Sequence, residues 1–295
     1  MEIVPLGPGF AAELRGVTIH DVAAREDAYV AVRAAFEDYS VLVFRDQDVS
    51  DEAQLAFSRR FGPLEVTKVA SDGYGTNLVI LKTLDERGNV VPADNRLALE
   101  NKANQLWHTD SSFKRVPALA SVLSSRIIPE RGGETEYVST RLAFERLDPA
   151  LQRRLENSFA WHDYAYSRGK IAPDLAGPAE REALPPQCWR LVWKNPVNGR
   201  RALYMASHTC AIEGIERKAA RELLAELTEA ATGPGMRYLH SWRKGDVVMW
   251  DNRATMHRGR PWPAREPRYM VRSTISATAV DGLDTMRAPS QQPAK

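Results

Sequence analysis

The spacing of apolar positions predicts helices mainly in the first half of the chain, with one more in the second half. Apolar residues recur at helical intervals over residues 25–37, and residues 215–232 carry the most regular amphipathic pattern. Ser50 is typical of a residue that caps a helix, so a helix is predicted to follow it as far as Phe61. The other predicted helices cover residues 140–147 and 148–155.

Short apolar runs rich in β-branched residues predict a series of strands. The Asn-Pro-Val-Asn-Gly segment at residues 195–199 is a strong turn signal, so the runs on either side of it are predicted to pair as a hairpin. The predicted strands cover residues 40–45, 78–84, 118–128, 135–139, 189–193, 201–205, 237–242, 246–250 and 269–276.

Three stretches have no regular pattern and are predicted to be irregular. Residues 85–104 are rich in charge and are interpreted as a long binding loop, and residues 166–186 as a polar, mobile insertion. The tail at residues 287–295 is predicted to be disordered, which leaves a single domain of residues 1–286.

The order of these elements favours one fold class. The strands are many and short, and they do not alternate with helices as they do in a parallel βαβ sheet. We therefore expect a mainly β protein with flanking helices and a double-stranded β-helix core of the jelly-roll, cupin-like kind.

Composition and charge narrow the range of partners. The 40 basic and 38 acidic residues leave a net charge of +2, which argues against a nucleic acid partner. No apolar run is long enough to span a bilayer, and the first residues lack the basic and apolar segments of a secretory signal. Two cysteines without a CxxC spacing predict a protein of the reducing cytoplasm.

A His-x-Asp motif and one distant histidine are the main candidates for chemistry. His108 and Asp110 are two positions apart, so on an extended strand their side chains point to the same side; His257 is expected to come from a second strand. Two imidazoles and one carboxylate leave three positions of a metal open, as in non-haem Fe(II) oxygenases. Taken alone, the motif is more simply a surface histidine beside a solvated aspartate.

Several ordered sequence blocks resemble the taurine dioxygenase and 2,4-dichlorophenoxyacetate dioxygenase family, whose members use Fe(II), 2-oxoglutarate and O₂. The resemblance covers residues 40–276, and the runs at 103–113 and 257–261 resemble most the branch that acts on aryloxyalkanoates. The matching blocks are SVLVF at 40–44, FGPLE at 61–65, NQLWHTDSSF at 104–113, GGETE at 132–136, GDVVMWDNR at 245–253 and HRGRP at 257–261, followed by Arg268 and Arg272.

The resemblance implies roles for the residues that match the family motifs. His108, Asp110 and His257 would be the iron ligands. Thr135 and Arg268 would hold the distal carboxylate of 2-oxoglutarate, for which a planar guanidinium is well suited.

Two further residues would complete the co-substrate site. Trp250 would line it, and Arg272, which alternates in phase with Arg268 along a predicted strand, would contact the iron-bound carboxylate or the substrate anion. Each residue also has a simpler explanation: Thr135 by strand propensity, Trp250 as core, and the arginines as a solvated sheet face. The combination favours the functional interpretation.

The aryloxyalkanoate branch implies a small anionic substrate and a homo-oligomeric enzyme. Its reaction would hydroxylate the ether-adjacent carbon of an aryloxyacetate such as 2,4-dichlorophenoxyacetate, giving a phenol and an oxo-acid with succinate and CO₂. Candidate substrate contacts are Asn104, Lys68, Lys102, Phe113, Tyr164, Tyr166, Arg168 and Arg272.

Three alternatives stay open. The same chemistry can act on a sulfonate such as taurine, an alkyl sulfate or another carboxylate. A non-catalytic, cupin-like binding protein would keep the fold, but it has no need of the three ligands together with Thr135 and Arg268. A metallohydrolase would need a carboxylate base beside a metal-bound water, and none is evident near His257.

Overall fold

The protein is mainly β, with helices packed against its sheets. The computed structural model describes residues 1–69, 71–92 and 95–288. Within these ranges the strands are β1 (Glu2–Leu6), β2 (Ala11–Arg15), β3 (Val41–Phe44), β4 (Leu78–Lys82), β5 (Ala118–Ile127), β6 (Thr135–Ser139), β7 (Phe159–His162), β8 (Gln187–Arg190), β9 (Val192–Lys194), β10 (Arg201–Leu203), β11 (Thr209–Ile212), β12 (Arg237–His240), β13 (Val247–Asp251), β14 (Thr255–Gly259) and β15 (Tyr269–Ser276).

The helices of the described residues lie between these strands. They are α1 (Ile19–Ala24), α2 (Glu26–Tyr39), α3 (Asp51–Arg59), α4 (Arg96–Ala103), α5 (Thr140–Glu145), α6 (Pro149–Glu156), α7 (Tyr164–Gly169), α8 (Pro178–Ala183) and α9 (Arg217–Thr232), with two 3₁₀ turns at Ala279–Asp281 and Leu283–Thr285. None of them is both long and apolar enough to cross a membrane.

The largest sheet has seven strands in the order β1-β2-β3-β13-β5-β15-β4, and all its pairs are antiparallel except β2 with β3. The central strands β3, β13 and β5 of this sheet are buried on both faces. Along β3, Leu42 and Phe44 pack with α1, α2 and α3, whereas Val41 and Val43 point to the other face. There they meet Tyr137 of the three-stranded β12-β6-β14 sheet. The alternation of side chains along a strand therefore gives the protein two apolar layers.

Most of the predicted elements are confirmed. The helices at 25–37 and 215–232 are α2 and α9, and the apolar runs at 118–128, 135–139 and 269–276 are β5, β6 and β15. Ser50 caps α3, accepting a hydrogen bond from the Ala53 amide at 3.1 Å. Asp148 caps α6 in the same way through the Ala150 amide at 2.8 Å.

Two segments predicted to be irregular contain helices. The loop prediction for residues 85–104 is wrong in its second part, where α4 forms from good helix formers that present no continuous apolar face. The insertion at 166–186 contains parts of α7 and the whole of α8. In the tail predicted to be disordered, Arg287 forms a bridge with Trp189 and Ala288 is buried, while residues 289–295 lie outside the described residues.

Other differences concern strands. The predicted strand at 189–193 is two strands in different sheets: β8 pairs with β7, and β9 pairs with β10 across the predicted turn. The strands β7, β11 and β14 were not predicted individually, because each has only four or five residues and no clear alternation. The prediction that His257 comes from a strand is confirmed, and that strand is β14.

The buried His162 of β7 makes the stability of the fold depend on pH. Burial lowers the pKa of His162 to about 3, so the native state stays neutral where the unfolded chain, with a pKa near 6.5, binds a proton. The free energy of unfolding should therefore fall as the pH falls from about 6.5 towards 3, by up to about 1.4 kcal/mol per pH unit for this group.

Urea unfolding at pH 7.5 and pH 5 measures this effect. In His162→Gln the loss of stability between the two pH values should be smaller than in the parent protein by about 2 kcal/mol. The exposed His20 provides the control, since His20→Gln should leave the parent's pH dependence unchanged. Identical pH dependence in His162→Gln and the parent would show that His162 is not the titrating group.

Candidate active site

His108, Asp110 and His257 converge at one end of the buried layer between the two sheets. One nitrogen of each imidazole and one oxygen of the carboxylate lie within 4.8 Å of one another. The Nε2 atom of His108 is 3.9 Å from Asp110 Oδ1, and that of His257 is 3.7 Å from Asp110 Oδ2. All three side chains are buried. The predicted set of two nitrogens and one oxygen is therefore brought together as a group.

A two-way backbone bridge aligns the two histidines. The His108 amide donates to the His257 carbonyl at 3.0 Å, and the His257 amide donates to the His108 carbonyl at 2.8 Å. The strand predicted around His108 is wrong, since this isolated bridge is all that forms there. Directly after Asp110 the backbone turns at Ser111, which has a φ of 54°. The turn ends the extended segment, but His108 and Asp110 still reach the same point.

Asp110 is fixed by a set of polar contacts that the sequence did not indicate. Its Oδ2 accepts a hydrogen bond from Ser121 Oγ at 2.7 Å, and its Oδ1 is paired with Arg272. Asn252 accepts from the Asp110 amide at 3.0 Å and donates to Ser121 at 3.0 Å. Asn252 lies in one of the matching sequence blocks, and Ser121 is a polar residue in an apolar strand. These two features were the sequence signals that could have indicated that Asn252 and Ser121 hold Asp110.

The protonation states suit a divalent metal. Burial lowers the pKa values of His108 and His257 below 6.5, so both imidazoles are neutral at pH 7. Burial alone would raise the pKa of Asp110, but Arg272 and the two histidines outweigh it and hold the pKa at about 2. The Leu106 carbonyl can only accept, so His108 Nδ1 carries the proton of their 2.7 Å bond and Nε2 keeps a free lone pair. This donor set fits an octahedral Fe(II) with open positions.

Two pockets meet at this group and share His108, Arg272 and Asn104 in their walls. The first, here called the Arg168 pocket, also contains Asp110, Phe113 and Arg168. The residues that line it are Glu65, Lys68, Ser71, Val79, Ile80, Leu81, Lys82, Glu100, Asn101, Asn104, His108, Asp110, Ser111, Phe113, Lys114, Arg168, His208 and Arg272.

The second, here called the Arg268 pocket, brings together the residues predicted for the co-substrate: Thr135, Trp250 and Arg268 line it together with His257. Arg268 is buried, and among the described residues it has no carboxylate partner; its guanidinium lies over the ring of Trp262 at 4.9 Å. Burial lowers the pKa of Arg268 to about 10, which still leaves the group charged at pH 7. A buried charge without a counterion is unfavourable, so this pocket is suited to an anion.

Only some of the residues predicted to contact the substrate line the two pockets and have a free polar group there. Asn104 lines both pockets and Phe113 lines the Arg168 pocket, and their contact with the substrate stays a prediction. Lys102 is exposed and lines neither pocket, so its prediction is wrong; it sits on the outer side of α4. Lys68 lines the Arg168 pocket, but its ammonium is bound to Glu180 at 2.7 Å and is not available to a substrate.

The two tyrosines proposed to contact the aromatic ring also differ. Tyr164 is buried behind Phe113, with 4.9 Å between the ring centroids. Tyr166 lies in a separate surface groove beside Lys170 and does not line the Arg168 pocket. His208, which matches none of the family blocks, also has a buried ring that lines the Arg168 pocket, 4.7 Å from the ring of Phe113.

Comparison with known proteins identifies this arrangement. A model of the "Taurine catabolism dioxygenase TauD, TfdA family" matches residues 2–274. The chain belongs to the TauD/TfdA family. A similar member is the alpha-ketoglutarate-dependent 2,4-dichlorophenoxyacetate dioxygenase of Cupriavidus pinatubonensis, which is 37% identical over 94% of this chain and 98% of its own length. The (S)-phenoxypropionate/alpha-ketoglutarate-dioxygenase of Sphingobium herbicidovorans is 33% identical over 93% of this chain and 94% of its own length.

A solved member of the TauD/TfdA family has the same fold. The crystal structure of AAD-2 in complex with Mn(II) and N-oxalylglycine matches with a TM-score of 0.87 and 36% identity, covering 94% of this chain and 98% of AAD-2. The protein is therefore an Fe(II)- and 2-oxoglutarate-dependent dioxygenase that uses O₂. This excludes the non-catalytic binding protein that the sequence left open.

Proposed function

We propose that this dioxygenase hydroxylates the ether-adjacent carbon of an aryloxyacetate. One oxygen atom of O₂ enters that C–H bond and the other enters succinate, while 2-oxoglutarate loses CO₂. The resulting hemiacetal breaks its bond to the aryl oxygen, giving a phenol and glyoxylate. The observation that carries the proposal is the guanidinium of Arg168, which has no carboxylate partner among the described residues and lines the same pocket as the ring of Phe113 and the histidine–aspartate group.

The roles of the protein's residues follow from their positions. His108, Asp110 and His257 hold Fe(II), and Arg268 with Thr135 holds the distal carboxylate of 2-oxoglutarate. When bound, the iron and 2-oxoglutarate together supply the oxidising chemistry with O₂. The protein positions both molecules in two pockets that adjoin the histidine–aspartate group.

Charge pairing in the Arg168 pocket supports an anionic substrate. Five cationic side chains line this pocket, and four are already bound to carboxylates: Lys68 to Glu180, Lys82 to Asp72, Lys114 to Glu65 and Arg272 to Asp110. Among the described residues Arg168 has no such partner, and its Nε atom is buried without a hydrogen bond. A carboxylate of the substrate would provide both a counterion for the guanidinium and an acceptor for the Nε–H group.

The aromatic surroundings favour an aryl group on that anion. The guanidinium of Arg168 lies 4.6 Å from the ring centroid of Tyr164, which in turn packs on Phe113. An aryloxyacetate carries both a carboxylate and an aromatic ring, and this pocket offers a guanidinium for the first and aromatic side chains for the second. Relatives with sulfate esters in their names are less similar: the alpha-ketoglutarate-dependent sulfate ester dioxygenase of Pseudomonas putida is 27% identical over 96% of this chain.

The finer architecture is also part of the proposal. The seven-stranded sheet facing β12-β6-β14, with the candidate iron site at one end of the layer between them, supports a double-stranded β-helix core within one domain of residues 1–286. Homo-oligomerisation and a cytoplasmic location, both expected from the sequence, remain predictions.

Substrate-triggered succinate release tests the proposed reaction. Purified enzyme with Fe(II), 2-oxoglutarate and O₂ would be offered phenoxyacetates, phenoxypropionates, taurine and alkyl sulfates at equal concentration. We expect the fastest release with a phenoxyacetate, together with one phenol for each succinate. Faster release with taurine or an alkyl sulfate would overturn the substrate assignment and leave the cofactors unchanged.

Arg168→Met should weaken binding of the substrate without affecting 2-oxoglutarate. Loss of a charge-assisted contact should raise the KM for phenoxyacetate roughly 30-fold, while the KM for 2-oxoglutarate changes little. Lys82→Met is the matched control, because Lys82 lines the same pocket but is paired with Asp72. Equal effects of the two substitutions on the KM for phenoxyacetate would show that Arg168 does not bind the anion.

A further inference from the structure

Phe113 lies between the candidate active site and a second cavity on its outer side. It follows Asp110 by three positions and is 7% exposed. Its ring contacts those of Tyr164 and His208 and packs with Leu184. The side chain is thus held by apolar and aromatic contacts.

The second cavity, here called the outer groove, has a volume of about 480 Å³. It shares three lining residues with the Arg168 pocket, namely Glu65, Phe113 and Lys114. Its other walls are largely apolar and include Leu64, Val66, Val116, Ala183, Leu184 and Pro185. The two cavities are therefore neighbours, and Glu65, Phe113 and Lys114 form the wall that they share.

The parts of this wall are held in different ways. Lys114 is bound to Glu65 at 2.6 Å and to the Val66 carbonyl at 3.2 Å. The Glu65 amide donates to the Thr274 carbonyl at 2.8 Å, which fixes it to β15. A substitution at Phe113 would leave these polar contacts of Glu65 and Lys114 in place. It would remove only the part of the wall that the Phe113 ring forms.

We propose that Phe113 determines substrate length by closing the Arg168 pocket towards the outer groove. The inference rests on the proposed function, in which the carboxylate binds Arg168 and the aryl ring points towards Phe113. A substituent on the ring opposite the ether oxygen then meets the Phe113 ring. A small residue at position 113 joins the two cavities and lets an apolar chain on the substrate enter the outer groove.

Two ligands separate this role from a general packing role: phenoxyacetate, and phenoxyacetate with a linear butoxy chain at the para position. Their Kd values would be measured by calorimetry on enzyme loaded with Mn(II) and N-oxalylglycine, an isostere of 2-oxoglutarate, and kcat/KM by succinate release. For Phe113→Ala, the preference for the butoxy compound over phenoxyacetate should rise roughly 30-fold relative to the parent enzyme, because burial of several methylene groups is favourable.

Ala183→Trp is the matched control that fills the outer groove. Ala183 is exposed and lies outside the active site, so a tryptophan there should leave the parent enzyme's preference unchanged. In the Phe113→Ala background the same change should remove the gained preference. A gain that persists in the double variant, or no gain in Phe113→Ala, would overturn the proposal.

A further variant and the parent enzyme complete the design. If Phe113→Ala does not fold, Phe113→Leu shortens the wall with less loss of packing and should shift the preference in the same direction; no shift would count against the proposal. A parent enzyme that releases no succinate with phenoxyacetate would instead refute the proposed function. The ratio of the two Kd values is independent of turnover, so the two failures are distinguishable.

Discussion

His108→Ala should reduce succinate release coupled to O₂ consumption by at least roughly 100-fold, because it removes one of the three groups proposed to hold the iron. Loss of residues that only orient metal ligands already weakens binding by about 10- to 100-fold, so loss of a ligand should have a larger effect. With His108 gone, only Asp110 and His257 remain at the site. Metal affinity, measured by calorimetry with Mn(II), should fall together with the activity.

The fold should tolerate this change. The His108 backbone keeps its bridge to His257, and the side chain loses only one hydrogen bond, to the Leu106 carbonyl. The free energy of unfolding of the metal-free protein should change by about 1 kcal/mol. His20→Ala, at an exposed histidine, should leave both activity and metal affinity at the parent values. Parent-like turnover in His108→Ala would mean that other groups bind the iron.

The histidine–aspartate group could be predicted because its members stand in short sequence blocks that match the family. His108 and Asp110 are two residues apart in the sequence, and His257 lies in a short block of its own. The strands β3, β5 and β13 were also predictable, since each is a largely apolar run with side chains buried on both faces of the sheet. These features need no knowledge of which distant residues pair.

The substrate contacts could not be predicted in the same way, because they depend on pairing between distant residues. Nothing in the sequence around Lys68 shows that Glu180, 112 residues later, neutralises it. Likewise, the sequence does not show that Lys114 pairs with Glu65. Such pairings leave Arg168 as the one cation of the Arg168 pocket that has no carboxylate partner among the described residues. Periodicity reports which side chains are buried, but not which charges are already satisfied.

The helix α4 shows the same limit for secondary structure. Most of its residues favour a helix individually, but no apolar stripe marks a buried face, so the pattern predicts a loop there. Its position follows from long-range contacts: Arg96, at its start, binds Glu180, the same carboxylate that holds Lys68. Asn104, just after its end, separates the two pockets.

The two pockets have the same electrostatic character. Each touches the candidate iron site, and each contains one guanidinium without a carboxylate partner among the described residues, Arg168 in one and Arg268 in the other. The reaction needs two anions, 2-oxoglutarate and the substrate, at the same metal. The unpaired charges are unfavourable in the free protein and become favourable when the anions bind.

Arg268→Met should therefore have opposite effects on stability and on function. Without ligands it removes a buried charge that has no counterion, so the free energy of unfolding should rise, by about 1 kcal/mol after the lost contact with Trp262 is allowed for. For catalysis it removes the guanidinium proposed to hold the distal carboxylate of 2-oxoglutarate through two charge-assisted hydrogen bonds, so the KM for 2-oxoglutarate should rise roughly 100-fold.

Thermal unfolding with and without Mn(II) and N-oxalylglycine shows both effects in one experiment. A ligand at 100 times its Kd stabilises the native state by about 2.7 kcal/mol, a gain that the parent should show and Arg268→Met should largely lose. The variant should thus be the more stable protein without ligands and the less stable one with them. Arg260→Met, at a half-exposed arginine bound to Glu136, should show no such reversal. If Arg268→Met is less stable than the parent under both conditions, Arg268 is a structural residue and another group must bind the co-substrate.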